Sequence, residues 1–426
     1  MGPLPNPVSN PASNAASNPE PLRKRIARLA EECGFAAAGI AAVPEPGSEE
    51  DRQERARFAG WIEAGHAGTM EYLKRRDEEG RLVRASVRVA FPWARSVIVC
   101  AARYDSPTPR SVDPAPPGTG WIARYAITGQ PAQGRSGEGG RPGEPGEPGD
   151  EAVSAPAPAS RPSDYHRVLL RQLESLRERL SGDLGGDFGP IESRCFVDTG
   201  PVVERVYARY AGLGWIGKNT CLLSESLGSW LFLGVIVNSL EVTEAAGNGE
   251  VAGAPGRAPA LPPDRCGSCT RCIDACPTGA LTPHQMDATR CIAYLTIENR
   301  GPIPEALRPG IGRQVFGCDI CQDVCPWNGH ARRGRAPTDP ALAPRPELVN
   351  PALEWLAAMN EDEYGRWFNG SPVRRTKFSG LRRNLAIAMG NSGQPGLLPT
   401  LEEWAADTDP VLAEAAQWAV RNLRRG

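Results

Sequence analysis

From residue 21 onward the chain moves between two hydrophobic rhythms. Leu22, Ile26, Leu29, Ala30 and Cys33 recur at helical spacing, and residues 35–40 then turn small and apolar as strands do. Residues 96–102 form a β-branched run that closes on polar Arg103, Tyr104 and Asp105, the pattern of a buried strand whose end faces a ligand. Residues 230–237 read as a second buried strand. Residues 164–180 place Val168, Leu169, Leu173, Leu176 and Leu180 on one side of a helix, and residues 202–211 also have helical spacing. Together these predict an α/β unit over residues 21–240. It is interrupted at 129–163, where Gly, Pro, Glu, Ser and Ala leave too little apolar surface to offset the entropy of ordering, so a flexible insertion is expected. Residues 1–20 read as a disordered tail and 241–263 as a linker. Residues 353–359, 381–389, 397–404 and 411–423 are helical, with Asp409 and Pro410 as cap and first turn of the last. Short paired helices predict a helical-repeat module over 345–426, and the chain as a whole is of the α+β class.

Composition narrows the function. At 426 residues the chain accommodates roughly two to four domains. A net charge of -2 with 23% charged residues excludes a polybasic nucleic-acid binder, so any charged partner meets a local patch. No cationic and apolar leader opens the chain, and the strongest apolar run, 230–237, falls short of the ~20 residues of a membrane helix. No membrane association is expected. Twelve cysteines without an export signal suit a reducing compartment, where thiolates serve metals, and the cytoplasm is the expected location.

The cysteines carry the chemistry. Cys266, Cys269, Cys272 and Cys276-Pro277 follow the x2, x2, x3 spacing of the bacterial ferredoxin run, in which three thiolates hold one [4Fe–4S] cluster and the fourth reaches the other. Cys318, Cys321 and Cys325-Pro326 form a second run short of one cysteine, and Cys291 is the only cysteine between the runs. One cluster is therefore assigned to Cys266, Cys269, Cys272 and Cys325, the other to Cys276, Cys291, Cys318 and Cys321. A pair of zinc sites is the alternative, but zinc explains neither the third cysteine at x2 nor the Cys-Pro endings. Residues 264–330 thus form a ferredoxin-like two-cluster domain.

Gly212, Gly214 and Gly217, followed by Lys218 and Asn219, match a dinucleotide fingerprint and nearly match a P-loop. Both readings need a strand immediately upstream, whereas residues 202–211 have helical spacing, and Asn219 replaces the hydroxyl that would meet magnesium. A glycine-rich loop that lets a planar cofactor approach the backbone remains open.

Four stretches carry a family resemblance: Val197-Asp198-Thr199-Gly200-Pro201-Val202-Val203-Glu204-Arg205, residues 212–219, residues 290–298 and residues 316–328. They resemble the epoxyqueuosine reductases over nearly the whole chain from residue 21. The resemblance implies a cobalamin domain related to the reductive dehalogenases, a two-cluster domain and a HEAT-like tail. It implies reduction of the epoxide of epoxyqueuosine in the tRNA anticodon loop to the cyclopentene of queuosine. Asp198 then corresponds to the proton donor, the alternative being a helix cap before Pro201. Arg81, Asp198, Thr296, Glu298, Asp323 and Val324 are the expected cobalamin contacts. With only four histidines, and with Asp164-Tyr165-His166 lacking the glycine of D-x-H-x-x-G, no histidine ligand to cobalt is indicated.

Residues 364–401 contain no Asp or Glu, while Arg374, Arg375, Lys377, Arg382 and Arg383 gather near Trp367 and Phe378. Such a patch suits tRNA phosphates, the alternative being a solvated basic face. Further expectations are a monomer and a flavodoxin or ferredoxin as electron donor. Two other functions stay open: a corrinoid reductive dehalogenase of a small molecule, and a ferredoxin-like carrier with a protein-binding repeat.

Overall fold

The structure is a computed structural model that describes residues 20–131, 160–242, 261–331, 337 and 339–425. The expected tail up to residue 19, the insertion over 132–159 and the linker over 243–260 lie outside the described residues.

Helix α1 (Leu22–Glu32) leads into strand β1 (Ala37–Ala42), and β2 is the apolar run Ser96–Arg103. Helix α2 (Tyr165–Phe188), β3 (Ser193–Phe196), α3 (Glu204–Tyr210) and β4 (Leu231–Asn238) complete the unit. The strands form one sheet in the order β1-β2-β4-β3, every neighbouring pair antiparallel. Val97 and Val99 of β2 face Val237 and Val235 of β4 and pack with Tyr207 and Ala208 of α3 on one side. Ile98, Cys100 and Ala102 point the other way, onto Ile26 and Leu29 of α1 and Leu169, Leu173 and Leu176 of α2. Helices on both faces explain why β2 is continuously apolar instead of alternating. Each such Val, Ile or Leu contributes about 1.5–3 kcal/mol by its burial.

Residues Gly129–Pro131 pair antiparallel with Ser160–Pro162. This corrects the expected limits of the insertion: its ends belong to a ladder. The guanidinium of Arg345, fully buried, fixes that ladder by donating to Ser160 Oγ at 2.7 Å and to the Trp367 carbonyl at 2.9 Å.

The cysteine-rich region contributes the short helices α4 (Arg271–Asp274), α5 (Ile292–Ile297) and α6 (Ile320–Asp323). The tail adds α7 (Leu353–Ala357), α8 (Glu361–Phe368), α9 (Lys377–Gly390), α10 (Leu398–Trp404) and α11 (Pro410–Arg425). Asp409 caps α11 by accepting from the Val411 N–H at 2.9 Å. Ile292, Leu295 and Phe316 share one core with Leu381, Leu385, Leu412 and Trp418. The cysteine region and the helical tail are therefore one packing unit, because α4–α6 are too short to bury a core of their own. A parallel pairing of Gln314–Phe316 with Trp121–Ile122 ties this unit to the first. Among the described residues no helix is long and apolar enough to cross a membrane.

Candidate functional site

The thiols lie in two sets. Burial, then the charges of Cys266 and Cys269, raise the Cys272 thiol above its ordinary value; burial, then Cys266, push Cys325 up to about 11. In the second set burial raises Cys318 well above the ordinary range, with Cys291 and Cys276 adding to it. Cys321 is raised by a hydrogen bond with Cys221, by burial, and by Cys318 and Cys291. Desolvation opposes ionising any one of these thiols alone, and a metal group of high positive charge would ionise a whole set. Donor type and number fit two cubane clusters. Cys221 is a ninth thiol beside the second set. Sequence spacing carried no sign of it, because it stands outside both runs.

The glycine loop has a structural task. Trp215–Ile216 pairs with Leu222–Leu223 as a hairpin, and α3 precedes it where a nucleotide site needs a strand. A side chain at Gly214 would meet the Leu223 carbonyl oxygen at 2.0 Å, so only glycine lets the two arms approach. Lys218 Nζ donates to the carbonyls of Gly267 at 2.7 Å and Cys269 at 3.1 Å, and it is thereby committed to the first cysteine loop instead of a phosphate. Asn219 Nδ2 donates to the Cys321 carbonyl at 3.4 Å.

On the other side of the sheet edge, the loop after β3 carries Asp198 in the left-handed region, at φ 55°. A Cβ at Gly200 would come within 2.5 Å of the Phe196 ring, so the turn closes tightly. Arg84 clamps it by donating to the carbonyls of Asp198, at 2.8 Å, and Gly200. Helix α3 begins only at Glu204 and has no side-chain cap, so Asp198 is not a helix cap. Its Oδ2 accepts from the Tyr165 hydroxyl and lies 3.5 Å from His166 Nε2. Glu204, nearby, has its carboxyl pushed up to about 7 by burial and then by the charge of Asp198, and its Oε1 is buried without a partner. Tyr125 joins the two halves. Its ring meets Tyr165 edge-on at 6.1 Å and Phe316 at 6.2 Å, and burial, then the charges of Asp319 and Asp198, hold its hydroxyl protonated.

Residues 265–328 match the 4Fe-4S double cluster binding domain. The epoxyqueuosine reductase of Xanthomonas campestris is 36% identical over 403 residues, covering 93% of this chain and 94% of that protein. This chain belongs to the epoxyqueuosine reductase family. The epoxyqueuosine reductase of Pseudomonas aeruginosa is 34% identical, with 95% of each chain covered. A crystal structure of epoxyqueuosine reductase with an epoxyqueuosine-modified tRNA-Tyr stem loop is 25% identical and superimposes with a TM-score of 0.70, covering 94% of this chain and 90% of that one.

Against the contacts expected of an epoxyqueuosine reductase, the structure separates side chains that face the Asp198 loop from those used elsewhere. Arg81 is exposed and pairs with Asp77 and Glu79; Arg84, three residues on, is the arginine that reaches Asp198. Thr296 is fully buried, its hydroxyl donating to the Ile292 carbonyl at 2.7 Å and accepting from the Gly317 N–H. The Asp323 carboxylate is buried and occupied by the Ser111 N–H and hydroxyl, both at 2.7 Å, and by Arg124 at 3.5 Å. Val324 is partly buried, its N–H given to the Ile320 carbonyl. Glu298 pairs with Arg375.

Of the basic residues, Arg374, Arg375 and Lys377 are exposed on one turn. Arg382 is half-buried on Asp407 at 3.0 Å. Arg383 is 1% exposed and donates to the carbonyls of Leu295, Asn299 and Gly301, a scaffold role that removes it from any surface patch. The Tyr72 ring lies beneath both Arg375, at 5.4 Å, and Arg84, at 5.9 Å, which makes the basic edge continuous with the Asp198 loop.

Proposed function

We propose that this chain reduces the epoxide of epoxyqueuosine in the tRNA anticodon loop to the cyclopentene of queuosine. Electrons arrive singly from a flavodoxin- or ferredoxin-type carrier through two [4Fe–4S] clusters, and cobalamin is the reacting cofactor. The observation that supports this most directly is the position of Asp198: Tyr125 and Tyr165 link it to the cluster side, and Arg84, Tyr72 and Arg375 link it to an exposed basic edge.

Removing the epoxide oxygen takes two electrons and two protons and yields the alkene and water. Cobalamin, when bound, supplies a centre that gathers the electron pair. The chain's residues fit a large amide-bearing group beside Asp198, since the buried Glu204 Oε1 has no protein partner and can take up an amide hydrogen bond. His166 has both ring nitrogens directed at carboxylates, which leaves it unsuited to ligate cobalt. Asp198 is the residue proposed to give a proton to the departing oxygen. The test of the cofactor is reconstitution: cluster-loaded protein turns over epoxyqueuosine tRNA only with cobalamin added, and equal turnover in preparations without corrinoid absorption bands would reject it.

Residues 345–426 are proposed as a HEAT-like module that meets the tRNA backbone through Arg374, Arg375 and Lys377. Replacing all three by alanine is expected to lower the dependence of tRNA affinity on salt by about two to three units, near 0.7 to 0.9 for each phosphate that the variant no longer neutralises. The lower end applies if Arg375 remains paired with Glu298 in the complex. Binding isotherms over a salt series measure it, and an unchanged slope would make this turn ordinary solvated surface.

A further inference from the structure

We propose that Asp164 and His166 form a proton relay that reloads Asp198 between turnovers, with Tyr165 orienting the receiving carboxylate. This rests on Asp198 as the proton donor. Asp164 and His166 open helix α2, and Asp198 stands on the loop after β3, so the relay spans two elements that the sheet brings together. His166 Nδ1 lies 2.7 Å from Asp164 Oδ1, and its Nε2 lies 3.5 Å from Asp198 Oδ2. With Nδ1–H donating to Asp164, the Nε2 edge is the one that faces Asp198. The Tyr165 hydroxyl donates to the same Oδ2, and its ring stacks on the imidazole at 4.1 Å and on Phe232 at 4.1 Å, which fixes both rings.

The imidazole is 31% exposed and the Asp198 side chain 51% exposed, so the path ends in water. The charged and titratable groups around it are Asp164 and Arg167 on the α2 side, Asp198 and Glu204 on the loop and α3 side, Arg84 on the backbone of that loop, and Tyr125 against Tyr165. The carboxylate of Asp164 is held below its usual range, against the opposing effect of burial, chiefly by hydrogen bonding and charge from His166. It is thus a standing anion behind the ring.

Of the two protons that the reduction consumes, the relay carries the one given through Asp198, and water supplies the other. Asp198 gives its proton to the departing oxygen and becomes a carboxylate. His166 passes a proton from Nε2 to that carboxylate and takes one from water in its place. No electrons move in these steps. The competing role for the same residues is structural, since Asp164 Oδ1 also accepts from the His166 N–H at 3.0 Å and so caps α2.

The experiment compares the first turnover with later ones in cluster- and cobalamin-loaded protein acting on epoxyqueuosine tRNA. His166→Gln keeps a hydrogen-bonding side chain but cannot ferry a proton. Its first turnover is expected to stay within about twofold of the parent, because the relay acts only after Asp198 has given up its proton, while later turnovers slow by roughly 10- to 100-fold and recover when imidazole is added. Asp198→Asn is expected to lose the first turnover as well, without rescue. If His166→Gln slows first and later turnovers equally, or imidazole fails to rescue, the relay is wrong. If Asp198→Asn turns over normally, the assignment of Asp198 itself falls. A readout independent of activity is the low-field Nδ1–H proton resonance of His166, expected to vanish in Asp164→Asn; its persistence there would overturn the Asp164 arm.

Discussion

Cys291→Ala is expected to bring the protein from about eight irons and eight acid-labile sulfides per chain to about four of each after anaerobic preparation. Cys291 immediately precedes α5; burial raises its thiol above the ordinary value, and hydrogen bonds from the N–H groups of Ala293 and Tyr294 offset part of that. Its charge also acts on Cys318 and Cys321, the middle of the second set. Without it that set keeps Cys276, Cys318 and Cys321, three thiolates for a cubane that takes four. Cys221 is the one thiol positioned to substitute, since it hydrogen-bonds Cys321. The pair of variants therefore decides the ligand. Loss of half the iron in Cys291→Ala, with full iron in Cys221→Ala, assigns Cys291; the reverse pattern assigns Cys221. Zinc at stoichiometry with no labile sulfide in the parent protein would exclude both clusters.

Much of this was legible in the sequence, and the failures have physical causes. Buried strands read correctly because helices cover both faces of the sheet and leave β2 and β4 apolar throughout. The two cysteine runs were legible because cluster ligation fixes sequence spacing. Sequence proximity alone did not show that α5 turns the Thr296 hydroxyl inward to the Ile292 carbonyl. A basic run likewise concealed two environments, since α9 turns Arg383 into the core. Periodicity divided the cysteine region from the tail, whereas the packing joins them, because a core shared across distant segments leaves no mark on local pattern. Tyr165 and Asp198 are 33 residues apart in the chain, and only the fold shows that they touch.

Asp198→Asn separates binding from chemistry. The residue sits at φ 55°, where most side chains are strained but Asn and Asp are tolerated, so the substitution leaves the turn intact. Arg84 holds the backbone carbonyls, not the carboxylate, and keeps its partners in the variant. The Asn carbonyl can still accept from Tyr165. What disappears is the ability to carry a proton to an oxygen leaving carbon. Turnover of epoxyqueuosine tRNA is expected to fall by roughly 10²- to 10⁴-fold, the range for a general acid, with tRNA affinity and iron content unchanged. A helix-cap role would predict near-normal turnover, because Asn and Asp cap equally well, and the late start of α3 at Glu204 already argues against it. Glu204 is the remaining acid nearby, and its raised value keeps much of it protonated near neutral pH. If Asp198→Asn retains full turnover while Glu204→Gln loses it, the proton comes from Glu204, and Asp198 serves only to shape the loop.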